Sequence, residues 1–256
     1  MDIKEQVKAQ FGANAAKYVS SPRHASGHDL TLLGDWVKEE QAQSALDIAT
    51  GGGHCALALA GAVREVTTLD MTPEMLREAE AFIRSKGAVN VTYVQGDAEH
   101  LPFEDESFDL VACRIAAHHF PDADRFVEEA ARVLKPRGCF MLMDNVALEP
   151  DLLDTLYNDV EKRRDPSHFR AWKKTEWVRR TEMAGLRLEQ LQQSDKPFAF
   201  ESWCARMNVP KDVQDQLEAD MLGWPAEVRK QLGVRSEGGR LKEFVGSYMM
   251  LKARKV

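Results

Sequence analysis

Cysteine is scarce in this chain of 256 residues: there are four, Cys55, Cys113, Cys139 and Cys204, and no two form a Cys-x-x-Cys pair. A disulfide framework or a thiolate zinc site needs paired spacings, so neither is expected. Cys113 and Cys139 stand in apolar, strand-like runs, where a small buried hydrophobe is the default reading. No stretch approaches the roughly 18 apolar residues of a membrane-spanning helix. Met1 to Phe11 is charged and lacks the apolar core of a signal peptide. Positive charge is also in deficit: 34 Lys and Arg against 41 Asp and Glu leave a net −7. That balance disfavours non-specific attraction to nucleic acid or anionic membrane unless a local patch overrides it. A cytoplasmic location is the expectation. Against these absences, 44% hydrophobic and 29% charged residues are enough for one large buried core and a solvated surface.

What is present is an alternation of strand-like and helix-like segments. Strands are expected at 45–49, 65–69, 91–95, 108–113 and 139–146, and helices at 54–61, 73–86 and 122–134. Thr72 and Pro73 suit the start of the 73–86 helix and Gly87 its end. Lys135-Pro136-Arg137-Gly138 reads as a turn into the fifth strand. Such alternation implies a parallel sheet with right-handed crossovers. Residues 1–42 read as a helical cap, with Leu30, Leu32, Leu33, Trp36 and Val37 as an apolar stripe. After Pro150 the rhythm changes: helices at 151–163 and 173–184, strands at 186–192 and 241–252, and a helical insertion between those strands. The expected organisation is one domain, with cap 1–42, nucleotide-binding core 43–147, and substrate-side helices with the last two strands over 148–256.

The richest signal is Ala45-Leu-Asp-Ile-Ala-Thr-Gly-Gly-Gly53, an apolar run ending in a glycine turn before a helix-compatible segment. Asp70 follows at the end of the next strand and Gly96-Asp97-Ala98 at the end of the third. Open α/β sheets bind nucleotides at this carboxyl edge, with an acidic residue reaching the ribose hydroxyls. The bland reading of Asp70 and Asp97 is that each caps a turn. Dinucleotide folds favour Gly-x-Gly-x-x-Gly; here the glycines are contiguous and Ala56 takes the third place. A dehydrogenase would also need NAD and a hydride-transfer constellation.

On these residues the chain resembles the class I S-adenosylmethionine-dependent methyltransferases. Asp47-x-x-Thr50-Gly51-Gly52-Gly53 matches the family's first motif, with Ala49 where a glycine often stands. The Leu-Asp-x-Ala-Thr-Gly form is similar to the ubiquinone and menaquinone biosynthesis branch. Phe108-Asp109-Leu110-Val111 and Val133-Leu134-Lys135-Pro136-x-Gly138 match the entries to the fourth and fifth strands. The resemblance covers about residues 44–147. It implies a Rossmann-like sheet of seven strands, the last antiparallel, with helices on both faces, an N-terminal lid and S-adenosyl-L-methionine as cofactor. It further implies cofactor contacts at Thr50, Gly51, Gly53, Asp70, Met71, Asp97 and Ala98, with Asp70 on the ribose, Met71 on an adenine face and Asp97 on the adenine amino group. Arg114 would line the methionine end, unless it is a salt-bridged structural arginine, and Tyr18, with Phe11 and Ala15, would belong to the lid.

Methyl transfer from a sulfonium requires little of the protein beyond positioning and exclusion of water. A general base is needed only for some acceptors. His118 and His119, just after the fourth strand, are the candidate bases, with packing or capping as the alternative. Asp144 and Asn145 end the fifth strand and either orient an acceptor or satisfy turn backbone. Lys162, Arg163, Arg164, Arg170, Lys173, Lys174, Arg179 and Arg180 form a basic segment with His168, Phe169, Trp172 and Trp177 interleaved. It is read as a site for an anionic substrate or RNA, or as a solvated helix face. Trp203, Met207, Met221 and Trp224 suit an apolar or aromatic acceptor, or the insertion's own core. The leading expectation is a small-molecule methyltransferase; an RNA methyltransferase and a non-catalytic cofactor-binding protein stand behind it.

Overall fold

The computed structural model describes residues 3–12 and 27–256. Helices α1 (Ile3–Gly12) and α2 (His28–Glu40) precede β1 (Ser44–Ile48), α3 (His54–Ala60), β2 (Glu65–Asp70), α4 (Pro73–Ser85) and β3 (Val91–Gln95). Then come β4 (Phe108–Arg114), α5 (Ala123–Val133) and β5 (Leu134–Val146). All five residues of β1 are buried, as a central parallel strand covered on both faces requires. Pro73 opens α4, whose Met75, Leu76, Ala79 and Ile83 form one buried stripe at helical spacing. Thr72 does not cap α4 with its side chain; its N–H instead donates to Asp70 Oδ1 at 2.9 Å. Asp122 caps α5 by accepting from the Arg125 N–H at 2.9 Å.

The sheet runs β3-β2-β1-β4-β5-β8-β6, with β1 to β5 parallel and β8 (Arg240–Lys255) antiparallel between β5 and β6 (Leu186–Ala199). The seven strands with an antiparallel final strand are as expected, with one addition: the three-residue β7 (Arg235–Glu237) pairs β8 outside this path. Two strands run differently from the reading of the sequence. Lys135–Gly138 lies within β5 as a bulge, because Leu134 already pairs Phe108 and Cys139 pairs Leu110. β6 continues past Gln192 through polar Gln193 to Pro197, residues that an edge strand tolerates and a central one does not.

Two apolar layers cover the sheet. Leu46, Ile48, Val111, Phe140 and Leu142 face α5 and Trp177, while Ala45, Val66, Leu110, Met141 and Met143 face α2, α3 and α4. This alternation is the period of two expected along strands. Helices α6 (Asp151–Arg164) and α7 (Lys174–Met183) follow β5; α8 (Phe200–Ala205), α9 (Lys211–Gly223) and α10 (Ala226–Gln231) follow β6. Trp203, Met221, Trp224 and Leu217 are buried in a third cluster with Tyr157 and Phe244, so the insertion has its own core.

Candidate functional site

A cleft with about 990 Å³ of empty volume opens where β1, β2, β3 and β4 end, at the carboxyl edge of the sheet. It is lined by the β1 loop (Ala49 to Gly52), Asp70 and Met71 after β2, Asp97 to Glu99 after β3, and Arg114 to Ala116 after β4. Lys4, Val7 and Phe11 of α1 close one side.

The β1 loop is built on backbone conformations that most residues avoid. Ala49 has φ 56°, which is why glycine is the easier residue there. Gly53, at φ 81°, does not line the cleft; a Cβ there would lie 3.0 Å from Ile83 Cδ1 and 3.2 Å from Ala79 Cβ. Its role is to let the loop pack on α4, while Thr50, Gly51 and Gly52 supply the wall. Thr50 Oγ1 donates to Asp47 Oδ2 at 2.7 Å, and burial pushes the Asp47 carboxyl up to about 6.

Asp70 ends β2 with its carboxylate fixed between two turns: Oδ2 accepts from Gly51 N–H at 3.0 Å and Oδ1 from Thr72 N–H at 2.9 Å. The carboxylate caps both turns and at the same time lines the cleft. Burial raises this carboxyl above its usual range, with the Thr72 and Gly51 amides opposing. Asp97 is held differently. Its Oδ1 accepts from Glu99 N–H at 2.9 Å, and its Oδ2 meets Lys4 Nζ at 2.6 Å. Burial pushes Asp97 up, but the Lys4 ammonium prevails and leaves its carboxyl below normal. Lys4 also pairs with Glu99, tying α1 to the end of β3. Sequence gave no signal for Lys4 beyond its place on a polar helix face.

Ile115, at the end of β4, is a β-branched residue at φ 54°, a strained backbone at the cleft wall. Beside it, Arg114 is both structural and cleft-lining: its Nε donates to Asp29 Oδ2 at 2.6 Å. Tyr248 Oη donates to the same oxygen at 2.8 Å. Arg114 and Ile115 also wall a second cavity of about 980 Å³, with Asp29, Lys196 and Tyr248 on its other sides. Lys196 Nζ donates to Asn145 Oδ1 at 2.7 Å. Contrary to the expectation that the dehydrogenase spacing Tyr-x-x-x-Lys is lacking, Tyr248 and Lys252 have it, but both lie on β8 (Arg240–Lys255), Tyr248 is hydrogen-bonded to Asp29 and Lys252 is paired to Glu40 at 2.6 Å.

The two histidines diverge. His118 is buried away from the cleft wall; its backbone N–H donates to Asp144 Oδ2 at 2.8 Å and its Nδ1 lies 2.7 Å from Asp144 Oδ1. Burial holds His118 well below the usual imidazole range, with His119 adding to the effect, and pushes Asp144 up to about 6. His119 lines the cleft, its ring edge-on to Phe11 at 4.9 Å, and its Nδ1 lies 2.9 Å from the Ser167 carbonyl oxygen. His168 packs behind His118 and donates from Nε2 to Asn158 Oδ1 at 3.0 Å. Tyr18 and Ala15 lie outside the described residues.

Six of the eight cations of the basic segment pair with acids, while Lys162 donates to the Pro166 and His168 carbonyls and Arg179 is exposed. Arg163 pairs with Asp220, Arg164 with Glu161, Arg170 with Asp154, Lys173 with Asp151, Lys174 with Glu149 and Arg180 with Asp124. Arg170 and Arg180 also stack on Trp172, at 4.9 and 3.9 Å from the ring centroid. Among the described residues no group of three or more His, Cys, Asp or Glu is arranged to hold a metal ion. The four cysteines are buried free thiols. No helix among the described residues is long and apolar enough to cross a membrane.

An α/β sheet with acidic residues at the ends of β2 and β3 and a glycine turn after β1 defines a nucleotide-cofactor cleft. Comparison with known proteins gives its chemistry. Residues 46–142 match the family model described as a methyltransferase domain. The uncharacterised methyltransferase YcgJ of Bacillus subtilis is 40% identical over 207 residues, covering 81% of this chain and 82% of its own. A crystal structure of a methyltransferase candidate from Bacillus halodurans is 47% identical, with TM-score 0.87, covering 90% of this chain and 99% of that one. The ubiquinone/menaquinone biosynthesis C-methyltransferase UbiE of Bartonella henselae is 37% identical over 117 residues, 44% of this chain and 45% of its own. The chain belongs to the class I S-adenosylmethionine-dependent methyltransferases, with S-adenosyl-L-methionine as methyl donor.

Proposed function

We infer that the methyl acceptor is a small molecule and that this chain contributes mainly positioning and exclusion of water. The donor brings an activated methyl group on a sulfonium. Asp70 accepts from the ribose hydroxyls, Asp97 and Ala98 face the adenine edge, and Met71 covers one adenine face. Thr50 and Gly51 form the loop against the cofactor, and Arg114 borders the methionine end. Tyr18 is retained as a lid contact from sequence alone. The residues fit the group: the Asp70 carboxylate lines the cleft beside the glycine turn after β1, with Asp97 across it at the end of β3.

The observation that carries the small-molecule reading is the pairing of the basic segment with acids of α6, α9 and neighbouring loops. Paired cations release few counterions from a polyanion, so RNA binding gains little from them. The likeness to UbiE is confined to less than half of either chain, so it supports the cofactor core and leaves the acceptor open. Incubation with tritium-labelled donor and a cell extract is the test: label is expected in the small-molecule fraction. Label that precipitates with nucleic acid and is released by ribonuclease would refute the reading.

A further inference from the structure

His119 is held by a loop that the methyltransferase assignment does not explain. Asp165 and Ser167 follow α6, and both are buried, Ser167 completely. Asp165 Oδ1 accepts from Ser167 N–H at 2.9 Å and from Ser167 Oγ at 2.5 Å. This turn aims the Ser167 carbonyl at His119 Nδ1, 2.9 Å away. A carbonyl oxygen only accepts, so Nδ1 carries the proton and the neutral ring keeps its lone pair on Nε2. The Ser167 hydroxyl lies 3.4 Å from Nδ1, but its own proton is committed to Asp165, so it too faces the ring as an acceptor. His119 Nε2 has no hydrogen-bond partner among the described residues, and the ring forms part of the cleft wall. His118 is the contrasting case: its Nδ1 is tied to Asp144 and its ring is off the wall.

We propose that Asp165 and Ser167 are positioning residues that fix His119 as an Nδ1–H tautomer, so that Nε2 removes a proton from the acceptor, which is therefore a protic one such as a phenol or an enolisable 1,3-dicarbonyl. This rests on the methyltransferase reading of the same cleft. In the step, the proton of the acceptor X–H passes to Nε2 as the X electron pair forms the bond to the methyl carbon. The carbon–sulfur pair stays on sulfur, leaving neutral S-adenosylhomocysteine, and the imidazolium returns its proton to solvent. An aprotic amine or a carboxylate needs no such base.

The titratable groups facing His119 are His118 on its own turn, Asp144 on β5 and Asp165 on the loop, while α1 packs Phe11 on the ring. His168, Glu161 and Arg164 stand behind His118 and Asp165. Burial pushes Asp165 up, but the Arg164 guanidinium and the Ser167 hydroxyl and N–H hold its carboxyl below normal.

The test is a two-bond proton–nitrogen NMR correlation on the full-length labelled protein, with and without S-adenosylhomocysteine, using H119N to assign the ring. Nε2 of His119 is expected to be the unprotonated nitrogen of the neutral ring in both states. D165N and S167A are each expected to mix the tautomers while leaving S-adenosylhomocysteine binding unchanged. If D165N fails to fold, S167A carries the same test. An unprotonated Nδ1 in the wild type, or a tautomer unmoved by either variant, would overturn the proposal. Absence of any S-adenosylhomocysteine response would instead count against the cofactor reading. For the acceptor, a panel of phenols and 1,3-dicarbonyls is added to the S-adenosylhomocysteine complex beside their O-methyl ethers. At least one protic member is expected to move the Nε2 signal without its ether doing so; a panel that leaves Nε2 untouched, or ethers that move it equally, overturns the acceptor assignment.

Discussion

Acid should destabilise this protein through a histidine that the fold keeps neutral. His168 is 3% exposed, and burial together with the neighbouring His118 lowers its pKa from 6.5 to about 3. With the folded pKa below the unfolded one, the unfolded chain binds more protons between those values. The contribution to stability is therefore complete above about pH 6.5 and declines as pH falls toward 3. Between about pH 7.5 and 5.5 the loss from this one group is about 1.4 kcal/mol, whatever its folded pKa, so long as that stays well below 5. His118 is lowered too and adds in the same direction. Asp47 and Asp144, each raised to about 6, oppose it: their buried charges are relieved on acidification, recovering about 0.8 kcal/mol apiece over the same window. The bulk pH dependence therefore mixes both signs, and a variant is needed to isolate the histidine. His168→Gln keeps an N–H donor for Asn158 and cannot titrate. Relative to wild type, it should gain about 1.4 kcal/mol on going from pH 7.5 to 5.5, a relative Tm shift of roughly 3–5 °C for a chain of this size. Thermal unfolding at the two pH values reads this directly. Equal pH dependence in the two proteins would mean that His168 protonates in the folded state, and the reasoning fails.

Three further outcomes follow from the cleft. Asp70→Ala removes two charge-assisted acceptors for the ribose and should weaken S-adenosylhomocysteine binding by about 3 kcal/mol, near a hundredfold, by calorimetric titration. Affinity within a few-fold of wild type would contradict the ribose assignment. Ala49→Gly relieves a left-handed alanine and should raise unfolding stability by about 1 kcal/mol; a loss of stability in urea would show that the Ala49 side chain is needed. Gly53→Ala places a Cβ against Ile83 at φ 81° and should cost about 2 kcal/mol, with cofactor affinity in the folded fraction nearly unchanged. A selective loss of affinity would return Gly53 to the cofactor wall.

The cofactor core was legible because its constraints are local. A glycine turn, an acid at a strand end and an apolar strand buried on both faces each leave a pattern within a few residues. Asp70 and Asp97 could be placed at the strand ends from spacing alone, and the turn-capping contacts they make were foreseeable from residue type. Gly53 was not separable from Gly51, because only the approach of Ile83 and Ala79 shows which way each faces. The basic segment misleads in sequence partly because Asp220, the partner of Arg163, and Asp124, the partner of Arg180, lie more than 50 residues away. The same holds for His119 and Ser167, separated by 48 positions and joined only by the fold. Long-range pairs leave no periodicity to read, which is why β6 also ran past its expected end.

The most direct test is calorimetric titration of the purified protein with S-adenosylhomocysteine, with NAD as the comparison. Saturable one-site binding of S-adenosylhomocysteine alone is the predicted result. Binding of NAD instead, or of neither ligand, would contradict the account of the cleft.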